Sequence, residues 1–122
     1  MPVRSSSSSV LRWPDREQVG HAARHWAGAV TRSHPEVLMI GFFGSYARGD
    51  WGVGSDLDLI AVVAGSDQAF ERRAVAFDLL SLPVPADLLV YTREEWERLQ
   101  AGGGRFARTL SAEVVWIYPY GG

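Results

Sequence analysis

The 122-residue chain contains no cysteine, which excludes a disulfide framework and a thiolate metal site and is compatible with a reducing compartment. No run approaches the roughly 18–20 apolar residues that a bilayer span requires, and the N-terminus lacks the apolar core of a signal peptide. A basic excess is missing too. The formal net charge is −2, whereas a large non-specific nucleic-acid footprint needs a basic surface. No segment repeats. With 47% apolar residues there is enough to build one real core, so a single small cytoplasmic domain is expected.

Residues 1–12 hold a five-serine run, Ser5 to Ser9, with little to bury, and read as a flexible tail before a domain over 13–122. Trp13-Pro14-Asp15 is a helix entry. Val19, Ala22, Ala23, Trp26 and Val30 form one apolar stripe, and His34-Pro35 ends the helix. His21 and His25, four apart, fall on the opposite, solvated face. Val37–Phe43 is a first strand, nearly free of polar groups and therefore central. A helical turn over Tyr46–Arg48 and a glycine-punctuated loop, Gly49 to Gly54, lead to a second strand over Leu57–Val63.

Beyond Gly65-Ser66-Asp67, a turn suited to cap a helix, Phe70, Ala74, Phe77 and Leu80 mark the buried stripe of a crossover helix, with Glu71, Arg72 and Arg73 outside. Pro83 and Pro85 break it. A third strand over Asp87–Tyr91 follows, then a helix whose Thr92-Arg93-Glu94-Glu95 matches a capping box. Trp96 and Leu99 anchor that helix and Gly102-Gly103-Gly104 ends it. A short helix around Phe106 and Leu110 and a strand over Val114–Tyr118 complete an α/β (α+β) arrangement with one small mixed sheet flanked by helices.

The chemistry concentrates between Phe43 and Val63. Gly44-Ser45, at a strand end and opening a helical turn, offers backbone N–H groups to phosphate. Asp56 and Asp58, one residue apart on a strand, project from one face and repel each other unless a cation lies between them. A helical crossover makes the second and third strands parallel, so Asp87 starts at the same sheet edge. An antiparallel first strand delivers Gly44-Ser45 there as well.

Mg²⁺ prefers carboxylate, phosphate and water oxygens. Asp56 and Asp58 suit one such ion held against a nucleoside triphosphate. Asp87 suits a second shared ion or proton abstraction from an incoming hydroxyl. Arg48, one turn beyond Ser45, either adds positive charge toward the triphosphate or pairs with Asp50. Trp51 either stacks on a base or packs the loop down.

Gly44-Ser45, the ten residues from Tyr46 to Ser55, Asp56-Leu57-Asp58 and the later Asp87 together resemble the minimal nucleotidyltransferases of the DNA polymerase β-like superfamily. The inner patterns Gly-Ser-x-Ala-Arg-Gly and Ser-Asp-x-Asp-Leu are present in full. Glu113-Val114-Val115-Trp116-Ile117-Tyr118 is similar to the family's closing strand, and the resemblance spans residues 15–118.

It implies the polymerase β-like nucleotidyltransferase fold and transfer of a nucleoside monophosphate from a triphosphate to a hydroxyl, with Mg²⁺ and release of pyrophosphate. Asp56, Asp58 and Asp87 are then the catalytic and metal-binding acids, with Gly44, Ser45 and Arg48 at the nucleotide, ATP or another triphosphate. Stand-alone members of this size act as antitoxins beside an all-helical HEPN ribonuclease toxin, and some inactivate it by adding AMP to a tyrosine. The acceptor surface is expected from such a partner or from a second copy of the chain. The alternatives are a dimeric enzyme acting on a small hydroxylated antibiotic of the aminoglycoside type, and a non-catalytic toxin-binding module.

Overall fold

The computed structural model describes residues 14–50, 52 and 54–119. The expectations for the serine-rich tail, Trp13 and Trp51 lie outside these residues.

Helix α1 (Arg16–Ser33) starts at Asp15, whose carboxylate accepts the Gln18 N–H while the Gln18 side chain accepts the Asp15 N–H. Its buried side is Val19, Ala23, Trp26, Ala27 and Val30, and His21 and His25 are exposed, as the periodicity predicts. Strand β1 (Val37–Phe43) runs into the short helix α2 (Ser45–Arg48), and β2 (Leu57–Val63) follows the glycine loop. Strand β3 (Ala86–Thr92) ends at Thr92, which caps α3 (Arg93–Gly102) through the predicted box with Glu95. Helix α4 (Arg105–Glu113) and strand β4 (Val115–Tyr118) close the described chain.

The four strands stand in the order β3-β2-β1-β4, with β1 antiparallel to β2 and β4 and β2 parallel to β3. Pleating sends alternate residues to opposite faces. Leu57, Leu59, Ala61 and Val63 join the main core with Ile40, Phe42, Leu88, Val90 and the apolar side of α1. Ile60, Val62, Ala107 and Leu110 are buried outside that cluster. Trp96 of α3 meets Trp116 of β4 edge-on, with ring centroids 5.7 Å apart.

The crossover differs from expectation. Instead of a helix over Asp67–Leu80, a 3₁₀ helix covers only Phe70–Ala76 and buries no residue. Ser66 does not cap it; its hydroxyl accepts the Gln68 N–H within the turn. Phe77 is buried against the His34 ring and Ala74 packs on the core, but Leu80 is 96% and Val75 84% exposed.

Arg73, expected outside, turns inward. Its guanidinium makes a two-pronged pair with Glu95, at 2.6 and 3.1 Å, and donates to the carbonyls of Val90 and Gln68. A charged side chain thus replaces the apolar stripe as the anchor. The 3₁₀ repeat of three residues per turn points a different set of side chains at the sheet than an α-helix would. Trp26 adds a second tie by donating its indole N–H to the Asp78 carbonyl at 2.7 Å.

Glu95 also accepts the Thr92 N–H at 2.9 Å. Arg73 first and that amide second lower its pKa from 4.5 to about 2. The depressed value means the contribution is present above the unfolded value of 4.5 and is lost as pH falls toward about 2. Glu95→Gln is expected to lower stability at pH 7 by about 1–2 kcal/mol, on the order of 5 °C in Tm. Thermal melts at pH 7 and pH 3 check this. The gap between wild type and variant should shrink at the lower pH.

Candidate active site

The end of β1 and the starts of β2 and β3 meet at one sheet edge. Asp58 is the register partner of Phe43 on β1 and of Asp87 on β3. The two aspartates are therefore adjacent on parallel strands, whose backbones lie about 4.8 Å apart, and pleating puts them on one face. Asp56 lies one pleat before Asp58, just ahead of β2. The topology predicted from the crossover is the one observed. Asp56 and Asp87 are exposed, whereas Asp58 is half-buried.

Burial, followed by the negative charges of Asp87 and Asp56, pushes the Asp58 carboxyl above its ordinary pKa. Among the described residues no cluster of three or more His, Cys, Asp or Glu side chains has the spacing of a preformed metal cage.

Gly44 sits against these carboxylates in a conformation reserved for glycine, at φ 75° and ψ −151°. A Cβ on it would lie 2.2 Å from Asp58 Oδ2, so the missing side chain is what lets the backbone approach the acid. Helix α2 is fixed from beneath. Tyr46 is 1% exposed in the main core, worth about 2–3 kcal/mol of apolar burial. Arg16 of α1 donates to the Tyr46 and Ala47 carbonyls at 2.8 and 3.3 Å. These anchors hold Ser45 at the sheet edge.

A cavity of about 460 Å³ opens there, with Gly44, Ser45, Asp56 and Asp58 on one side and Phe106, Thr109 and Glu113 of α4 on the other. Asp87 lies beside it, next to Asp58 in register. Arg48 is the one cation among the described residues that line it. Of the two expectations for Arg48, the pairing with Asp50 is observed, at 3.1 Å. A second carboxylate, Glu113, also meets the guanidinium at 3.2 Å.

Glu113 is the site residue that sequence reasoning missed, because the closing strand was expected to carry it. It is instead the last residue of α4, and its Oε1 accepts the Gly44 N–H at 2.9 Å. Phe42 pairs with Val115 in the antiparallel β1–β4 ladder, so continuing that register brings Glu113 opposite Gly44. Gly41 makes the approach possible, since a Cβ there would lie 2.8 Å from both Trp116 and Val114. An acid just ahead of a last strand antiparallel to β1 was the available signal.

A four-stranded mixed sheet flanked by helices thus brings a Gly-Ser turn and three aspartates to one edge. The chain belongs to the nucleotidyltransferase domain family, whose model matches residues 26–114. It is similar in structure to a protein of Sulfolobus solfataricus described provisionally as a nucleotidyltransferase, with a TM-score of 0.57 and 25% identity over 68% of this chain and 75% of that one. A toxin–antitoxin structure with AMP-PNP aligns with a TM-score of 0.49 and 18% identity, covering 78% of this chain and 72% of that one. The toxin–antitoxin MntA-HpeT, in a mutant form, aligns at 0.47 and 15% identity, covering 78% and 71%. A comparison with curated proteins found no match.

Gly44→Ala tests the packing at the sheet edge. Forcing a side chain into a conformation open only to glycine costs on the order of 1–3 kcal/mol, and the contact with Asp58 adds to it. Urea unfolding should show the free energy of unfolding fall by that amount and the midpoint drop accordingly, whereas Gly49→Ala, where a Cβ meets nothing within 4 Å, is expected to lose less.

Proposed function

We propose that the chain transfers a nucleoside monophosphate, AMP from ATP, to a hydroxyl on a partner protein. In this reading the acceptor is a tyrosine of a HEPN-type toxin, which the chain neutralises as its antitoxin. The observation that carries the chemistry is the adjacency of Asp58 and Asp87 at the edge where Gly44 presses on Asp58.

Asp56 and Asp58 would hold Mg²⁺, with Asp87 available to a second ion. Three carboxylates (Asp56, Asp58 and Glu113) line the cavity with Arg48 as counter-charge, and Asp87 stands next to Asp58 in register, so a triphosphate needs added positive charge to enter. When bound, Mg²⁺ supplies that charge and stabilises the attacking and leaving oxygens.

The chain's own groups divide the remaining work. Ser45 and the amides around it hold the outer phosphates and leave the α-phosphorus facing the aspartates. Asp87, exposed beside Asp58, takes the proton of the acceptor hydroxyl. The acceptor oxygen then bonds to the α-phosphorus, the bond to the bridging oxygen breaks, and pyrophosphate leaves with the electron pair. Small-molecule sites are mostly concave and apolar. Here Asp56 and Asp87 stand exposed at a sheet edge, which favours a hydroxyl presented by another protein.

The test is incubation with ATP labelled at the α-phosphate, Mg²⁺ and the candidate toxin. Label is expected on the toxin, and Asp56→Asn with Asp58→Asn should reduce it by roughly 10³-fold, the loss of several kcal/mol of charge stabilisation. Circular dichroism should stay unchanged. Full neutralisation of the toxin by the double variant would instead mark a steric binding module.

A further inference from the structure

We infer that Glu113 is a positioning residue for this reaction: it sets the phosphate-facing turn against the aspartates by holding Gly44 and Arg48 together. The inference rests on the nucleotidyl-transfer reading above and assigns a task to a residue which that reading leaves unused.

Three observations converge on it. First, one carboxylate makes two kinds of bond. Oε1 accepts the Gly44 N–H at 2.9 Å, and the two oxygens lie 3.3 and 3.2 Å from Arg48 Nη1. Gly44 and Arg48 are the residue before α2 and its last residue, so Glu113 grips both ends of that short helix.

Second, the grip opposes another contact. Gly44 has Asp58 Oδ2 where its Cβ would be and Glu113 on its N–H, so the turn is clamped between two carboxylates. Removing Glu113 leaves the glycine backbone, with its wide range of conformations, held from the Asp58 side and by the ladder of β1.

Third, the two carboxylates on Arg48 are unequal. Asp50, at 3.1 Å, is 62% exposed and Glu113, at 3.2 Å, 15%, so the Glu113 pair is the less screened of the two that hold the guanidinium at the cavity rim. Its bonds to the Gly44 amide and to Arg48 engage both carboxylate oxygens, and it acts through them on where Ser45 and Arg48 meet a triphosphate.

The experiment titrates Mg²⁺ and α,β-methylene-ATP, which cannot release pyrophosphate, into wild type, Glu113→Ala, Glu113→Gln, Arg48→Ala and the double variant Glu113→Ala/Arg48→Ala. Melting curves for all five run alongside. Glu113→Ala should weaken binding about tenfold or more. Glu113→Gln keeps a carbonyl oxygen for the Gly44 N–H and should recover part of that loss. Because Glu113 acts partly through Arg48, the double variant should bind no more than about threefold more weakly than the worse single variant.

A Kd for Glu113→Ala within twofold of wild type, with only the Tm lowered, would reduce Glu113 to a structural residue and overturn the inference. Fully additive losses would overturn the coupling to Arg48. If Glu113→Ala fails to fold, Glu113→Gln against Arg48→Ala decides, since binding by Glu113→Gln equal to wild type rejects the charge-dependent part. A wild-type chain that binds no analogue would overturn the nucleotide reading itself, an outcome distinct from wild-type binding that the variants leave unchanged.

Discussion

One row of register positions governs this molecule: Phe43, Asp58 and Asp87, side by side on three neighbouring strands. Backbone hydrogen bonding sets the row, and slipping either ladder by one residue would turn an aspartate to the other face of the sheet. Slippage is opposed by the buried face, where Leu59, Ala61, Leu88 and Val90 would have to leave the core. The hydrophobic pattern of β2 and β3 therefore does two jobs. It closes the core, and by the same alternation it delivers two acids to one edge.

The charge at that edge is the second theme. Asp58 is partly withdrawn from water beside Asp87 and Asp56, and its raised pKa records the cost of holding the three together. Added positive charge at this edge would lower that cost. Arg48 offsets little of this, because Asp50 and Glu113 already occupy it. The site thus separates a fixed local balance, made of Arg48 and its two acids, from an unbalanced pair of strands that faces the cavity.

Most of this was legible before any coordinates. The alternation and the turn residues fixed β1, β2 and the cap at Thr92, because each is specified by a few neighbouring side chains; Asp15, read as part of the first helical turn, is instead the residue that caps it. The convergence of Asp56, Asp58 and Asp87 followed from the handedness and direction that a crossover imposes. The crossover's own conformation did not follow. Phe70, Ala74, Phe77 and Leu80 carry helical spacing, but Arg73 finds Glu95 twenty-two residues away, and no local pattern announces such a pair. Glu113 was hidden for a similar reason. Its partners are 65 and 69 residues distant, and only the β1–β4 register brings them within reach.

The crossover between Val63 and Ala86 is tied to the rest of the molecule by the Arg73–Glu95 pair, the Phe70 and Phe77 rings against Tyr91 and His34, the Trp26 indole, the packing of Ala74, Leu79, Leu82 and Val84 on the core, and the Pro85 carbonyl, which accepts the Leu57 N–H at 2.8 Å. From Leu57 opposite Ala86 to Val63 opposite Thr92 the β2–β3 register is carried by the strands. Between these ties Val75 and Leu80 face solvent. Substitutions at these exposed positions can therefore change the surface of the crossover without moving Asp58 and Asp87, whose adjacency the β2–β3 ladder fixes.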